Sequence, residues 1–166
     1  MKTFNSILKI TCAVAIVAMT FACETISNPE PIDAINEEKM ATIQGTAYAN
    51  LDETNDTTGV ILERAPANTN VKVVLDAADF VNIAPGVDYQ NLSYTTTVDG
   101  SGNFEIEIPA LDEPINAEIY LDSFIANQFK ADSTNESRLF TPAAFPINAS
   151  IVADFTSYHN VTYVAN

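Results

Sequence analysis

From residue 42 onward, the pattern that most restricts the fold is a strict alternation of apolar and polar residues. In Phe104-Glu105-Ile106-Glu107-Ile108, three apolar side chains fall on one face of an extended chain and two glutamates on the other, as a half-buried strand requires. Val71, Val73 and Leu75 stand against Lys72 and Val74 in the same way, and Ala117, Ile119 and Leu121 against Glu118, Tyr120 and Asp122. Residues 43–49 and 92–98 read as two further strands, the second rich in β-favouring Tyr94, Thr95, Thr96 and Thr97. Residues 147–155 and 160–164 are expected to close the domain around a turn at 157–160. Asp99-Gly100-Ser101-Gly102-Asn103 supplies residues that tolerate positive φ and predicts a hairpin. Between residues 123 and 145, the polar insert 130–138 is expected to be an exposed loop. About seven short strands joined by polar turns, with no long amphipathic helix, predict an all-β, antiparallel β-sandwich.

The start of the chain has a different composition. Lys2 and Lys9 precede an apolar run from Ile10 to Ala22 interrupted only by Thr11, Cys12 and Thr20, too short for a spanning helix, which takes about 20 residues. It reads as a signal peptide over residues 1–22. Thr20-Phe21-Ala22-Cys23 resembles a bacterial lipobox, in which a small residue precedes a cysteine that is acylated and becomes the first residue of the mature protein. Thr20 and Phe21 depart from the usual Leu and Ala or Ser, and looser lipoboxes of this kind are common in Bacteroidetes. Ordinary secretory cleavage near Ala22 would instead leave Cys23 as a free thiol. Cys12 lies in the segment to be removed, so Cys23 is the one cysteine left and no disulfide can form within a mature chain.

Residues 23–41 carry Pro29, Pro31 and five acidic residues, the composition of a solvated tether behind the lipidated cysteine. The sandwich is then expected over residues 42–166. Loss of Lys2 and Lys9 takes the formal net charge from −15 to about −17. That field repels phosphate backbones and argues against nucleic acid. It also opposes adhesion to anionic lipid, so the membrane is to be engaged through acyl chains alone. The resemblance to Bacteroidetes lipoproteins implies the outer membrane; Glu24 and Glu30 are a dilute form of the acidic signal that directs some of them outward, which leaves both cell surface and periplasmic face open.

Three segments together resemble the carboxypeptidase-regulatory or transthyretin-like sandwich: Thr42-Ile43-Gln44-Gly45-Thr46-Ala47, then Asn70-Val71-Lys72-Val73-Val74, then Thr97-Val98-Asp99-Gly100-Ser101-Gly102-Asn103-Phe104-Glu105-Ile106 with Pro109 beyond. The match spans about Thr42 to Leu121, roughly half of the chain. The resemblance implies a small seven-stranded sandwich that serves as a structural, spacing or binding module and carries no peptidase residues of its own, with Phe104 packed between the sheets.

Catalytic designs are few. His159 is the single histidine, so a zinc site lacks ligands, and a triad drawn from Ser157, His159 and Asp154 has no nucleophile elbow; a solvent-exposed turn histidine is the economical reading. Glu105 and Glu107 share a strand face about 7 Å apart, a spacing compatible with inverting glycosidases, but outward carboxylates ordinarily keep a sheet soluble. No catalytic residue is therefore assigned and no cofactor is expected. The oxygen-rich loops suit a hard cation such as calcium, with Asp52, Asp56 and Asp99 as the candidate ligands, although neither loop has the EF-hand spacing and a solvated acidic turn is the alternative. Asp56-Thr57-Thr58 and Asp132-Ser133-Thr134 resemble the O-glycosylation acceptor of exported Bacteroidetes proteins and nominate Thr57 and Ser133. The six tyrosines offer stacking faces for a sugar, although tryptophan is absent, and most are expected to pack their rings and wet their hydroxyls. The leading functional expectation is a non-enzymatic, membrane-anchored accessory, scaffold or adhesion-type module of a bacterial envelope. The alternative is a surface lipoprotein that captures a glycan or protein partner for an uptake system.

Overall fold

A computed structural model describes residues 39–80 and 88–166. The expected signal peptide, Cys23 and most of the tether lie outside the described residues. Among the described residues ten strands form two sheets: β1 (Met40–Ala49), β2 (Glu63–Arg64), β3 (Asn70–Leu75), β4 (Leu92–Thr97), β5 (Asn103–Pro109), β6 (Ile115–Leu121), β7 (Phe124–Phe129), β8 (Asn135–Pro142), β9 (Ile147–Ile151) and β10 (Thr156–Ala165). One sheet runs β2-β1-β10-β8-β7, with β5 sharing an edge of β1 with β2; the other runs β4-β3-β6-β9. The molecule is a β-sandwich, as the alternation requires. Among the described residues no helix is long and apolar enough to cross a membrane.

Side-chain alternation sets which faces meet. Ile43, Ala47, Phe104, Ile108, Phe140 and Val161 of the first sheet close on Val71, Val73, Leu75, Ala117, Ile119 and Ile151 of the second, all at most 3% exposed. Burying the Val, Leu, Ile and Phe side chains among these stabilises the fold by about 1.5–3 kcal/mol each. Phe140 stacks on Phe124 with ring centroids 5.2 Å apart, and Tyr163 tilts against Phe124 at 4.7 Å, while its hydroxyl donates to the Asp122 carbonyl at 2.9 Å. That burial, together with the nearby Asp122 carboxylate, holds the Tyr163 phenol well above its ordinary pKa.

Gly45 explains the glycine in β1. It pairs with Phe104 across the β1–β5 ladder, and a Cβ there would lie 2.3 Å from the Phe104 ring and 2.0 Å from the His159 carbonyl oxygen. The aromatic ring takes the volume that a side chain on β1 would otherwise fill.

Four local expectations are corrected. The 99–103 turn forms, with Gly102 at φ 76° and the Asp99 carboxylate accepting from Ser101 N and Asn103 N at 2.8 Å each. It does not make a simple hairpin, because β4 pairs with β3 and β5 pairs with β1, so the turn carries the chain from one sheet to the other. The polar insert is a tight turn at 130–134 between paired strands: Lys130 N donates to Thr134 O and Ser133 N to Lys130 O, both at 2.8 Å, and Glu136 to Arg138 lie within β8. Both faces of that end of β8 are wet, so no alternation marks it. The expected turn at 157–160 is strand, since β10 runs unbroken from Thr156 to Ala165 and the chain instead turns at residues 152–155, where Asp154 has φ 65°. Finally, the sandwich is not wholly antiparallel. The β1 and β10 strands pair in parallel over Thr42↔Thr156 to Ala49↔Tyr163. Ladder hydrogen bonds with β1 hold the polar Ser157-Tyr158-His159-Asn160 extended where composition favours a turn.

Candidate functional site

The residues nominated from sequence are spread over separate loops. Asp52 caps the short turn at Glu53–Asn55, its side chain accepting from Thr54 N at 2.9 Å. Asp56, in the same loop, accepts from Asn50 Nδ2 at 2.7 Å and Ile61 N at 2.6 Å. Glu63 closes the loop by accepting from Leu51 N, Asp52 N and Asn55 Nδ2, and Lys130 pairs with Glu53 at 2.9 Å. Two amide oxygens in this network, Asn50 Oδ1 and Asn55 Oδ1, are buried without a hydrogen-bond partner. The carboxylates are thus engaged with the loop's own donors, and Asp99 sits apart in the sheet-crossing turn. Among the described residues, no three His, Cys, Asp or Glu side chains gather as a metal site would need.

Thr57 and Ser133 are both exposed on turns. Ser133 has φ 64° at the tip between β7 and β8. Beside it, Thr134 donates its hydroxyl and backbone N–H to Asp132, and these bonds hold the Asp132 carboxyl below the usual aspartate range.

His159 departs from the exposed turn residue expected. It lies in β10, half-buried, with Nε2 2.8 Å from Ser157 Oγ, and burial lowers its pKa. Asp154 is in the preceding turn, where its backbone N–H donates to Met40 O, and no hydrogen bond joins its carboxylate to the imidazole. A serine–histidine contact without an orienting carboxylate lacks the third member that nucleophilic designs use.

The tyrosines separate clearly by environment. Tyr48 has the Arg64 guanidinium 4.6 Å from its ring centroid. Tyr120 meets Phe145 edge-on at 5.1 Å, with Lys72 Nζ 4.9 Å from its ring. Tyr163 is buried. Tyr158 alone combines 74% exposure with a place in a concave surface, a cleft of about 500 Å³ on the outward face of the first sheet.

The geometry of that cleft follows from register. Gln44 of β1 pairs with Glu105 of β5 and Tyr158 of β10; Thr46 pairs with Asn103 and Asn160. Alternation turns all six outward, so they form two parallel rungs crossing three strands. Gln44 Nε2 donates to Glu105 at 2.6 Å and Thr46 Oγ1 to Asn103 Oδ1 at 2.9 Å, which fixes the β1 and β5 members of each rung. Thr96 and Thr97 at the end of β4, in the second sheet, and Asp99 of the sheet-crossing turn complete the lining. Glu105 and the tyrosines are visible in the sequence but the group is not, because β10 joins it only through the parallel pairing.

No protein-family model matches the sequence, and no curated protein matches it. Among solved structures, the chain is similar to the minor pilin of the gram-positive pathogen Streptococcus agalactiae, with TM-score 0.44 and 9% identity over 77% of this chain and 45% of that one. It is also similar to a shaft pilin of Lactobacillus rhamnosus GG, with TM-score 0.38 and 12% identity over 77% and 50%. A third likeness is to the major plantain pollen allergen, with TM-score 0.33 and 16% identity over 74% and 94%. The chain spans about half the length of each pilin. Likeness at these scores carries no functional argument.

Proposed function

We propose that this chain is a non-enzymatic module of a bacterial envelope, held at a membrane through acyl chains on Cys23 and built to keep its fold under tension between that anchor and whatever the domain holds. The observation that carries the reading is the parallel β1–β10 ladder, eight residue pairs long. In a parallel pair, the start of one strand and the end of the other lie at opposite ends of the ladder. Tension that enters at Met40 and leaves beyond Ala165 therefore loads the evenly spaced hydrogen bonds of the ladder together in shear rather than one after another. A spacer, adhesion-type or scaffold domain tethered at its first strand benefits from that arrangement.

The lipobox-like Thr20-Phe21-Ala22-Cys23 and the acidic, proline-containing segment after it support the anchor. Metabolic labelling with tagged palmitate in a host that processes bacterial lipoproteins tests it. Label is expected on the intact chain and not on Cys23→Ser, with the intact chain in the membrane fraction. Absence of label on the intact chain, or equal label on both, refutes the anchor.

A further inference from the structure

We infer that the six-residue grid on the outward face of β5, β1 and β10 is a binding site for a neutral carbohydrate. This goes beyond the tension-bearing role and does not depend on how the chain is anchored.

The grid measures about 10 Å across three strands and about 7 Å along them, room for one or two sugar rings, and the cleft of about 500 Å³ falls in the range of small-molecule sites. What it offers is almost purely hydrogen-bonding. Gln44 and Asn103 each commit one end of an amide to a neighbour, leaving Gln44 Oε1 and Asn103 Nδ2 for a ligand. Glu105 Oε1 and the whole Asn160 amide are likewise free of protein partners. Acceptors and donors alternate over a few ångströms, the pattern that vicinal hydroxyls match because each hydroxyl both gives and takes a hydrogen bond. Tyr158 supplies the remaining element, a bare ring beside the amides on which the C–H face of a sugar can lie.

Other ligand classes fit less well. No Lys, Arg or His lines the cleft, while Glu105 and Asp99 do, and the chain carries a formal charge of −15. Phosphate, sulfate and uronate groups are therefore repelled. Apart from Phe104, whose ring is turned into the core at 3% exposure, the lining has no aliphatic surface for a lipid. A peptide adding as a strand needs unpaired backbone groups; β1, which runs through the middle of the grid, is paired on both sides, so such a strand would join at the outer edge of β5 or β10, beside the grid and not on its face. The Gln44–Glu105 and Thr46–Asn103 pairs are also held in place before any ligand arrives, so ordering on binding is confined largely to Tyr158 and Asn160.

The test uses the mature chain on an array of neutral and acidic glycans, followed by titration calorimetry with the best neutral oligosaccharide. Signal is expected on neutral glycans and not on sulfated or uronate-rich ones. Tyr158→Ala and Asn160→Ala, both exposed and outside the core, should each weaken binding roughly tenfold without shifting the thermal midpoint. Tyr120→Ala, on the opposite sheet, should leave binding unchanged. Silence on all neutral glycans, preference for acidic ones, or affinity that survives Tyr158→Ala and Asn160→Ala overturns the assignment.

Discussion

Gly45 and Phe104 act as a single unit. The ring occupies the space above the glycine in the packed core, and the His159 carbonyl, which belongs to a paired strand, cannot move without disturbing a ladder. Gly45→Ala is expected to destabilise the domain by about 1–3 kcal/mol, the usual cost of overpacking, read as a lower urea midpoint with unchanged slope; a midpoint equal to that of the parent would show that the strands give way freely. His159 adds a pH dependence. Burial lowers its pKa below 6.5, so the folded chain resists a proton that the unfolded chain accepts. Its contribution is complete above the unfolded value and is lost as the pH falls through the lower folded value. The stability difference between the parent and His159→Gln should therefore change between pH 7.5 and pH 5, the parent losing more; parallel pH profiles for the two chains would contradict this.

At the scale of elements, β1 is the strand on which the rest depends. It pairs with β5 and β2 along one edge and β10 along the other, so its N–H groups are spent on ladders. Thr46→Pro removes one of them in the middle of the sheet and should abolish cooperative folding, seen as loss of the thermal transition by circular dichroism; a retained transition within a few degrees of the parent would show the ladder to be dispensable there. The elements legible in the sequence, such as Phe104-Glu105-Ile106-Glu107-Ile108 in β5 and Val71 to Leu75 in β3, are those with one wet and one buried face. Alternation is a direct trace of that environment. The parts it missed lack the contrast: the start of β8 is wet on both faces, and β10 opens with Ser157-Tyr158-His159-Asn160, which owes its extended form to a partner more than a hundred residues away. The binding grid was half legible for the same reason. Glu105 and Asn103 are visible on the outer face of a predicted strand, but their position beside Tyr158 and Asn160 depends on a parallel register that no local pattern encodes.

For the whole molecule, the decisive feature is that the first and last described strands lie side by side and point the same way. A load between the anchor side of β1 and the end of β10 is shared by the whole ladder, whereas a load between the starts of both strands opens it rung by rung. Single-molecule pulling on the leaderless, unlipidated chain compares the two directly. One handle is the native Cys23 thiol, and the other is a cysteine introduced either as Asn166→Cys beyond the end of β10 or as Phe155→Cys just before its start, where the native side chain is 69% exposed. The shear geometry of a tension-bearing module predicts a distinctly higher rupture force for the Asn166→Cys attachment. Equal forces, or a higher force through Phe155→Cys, would contradict it.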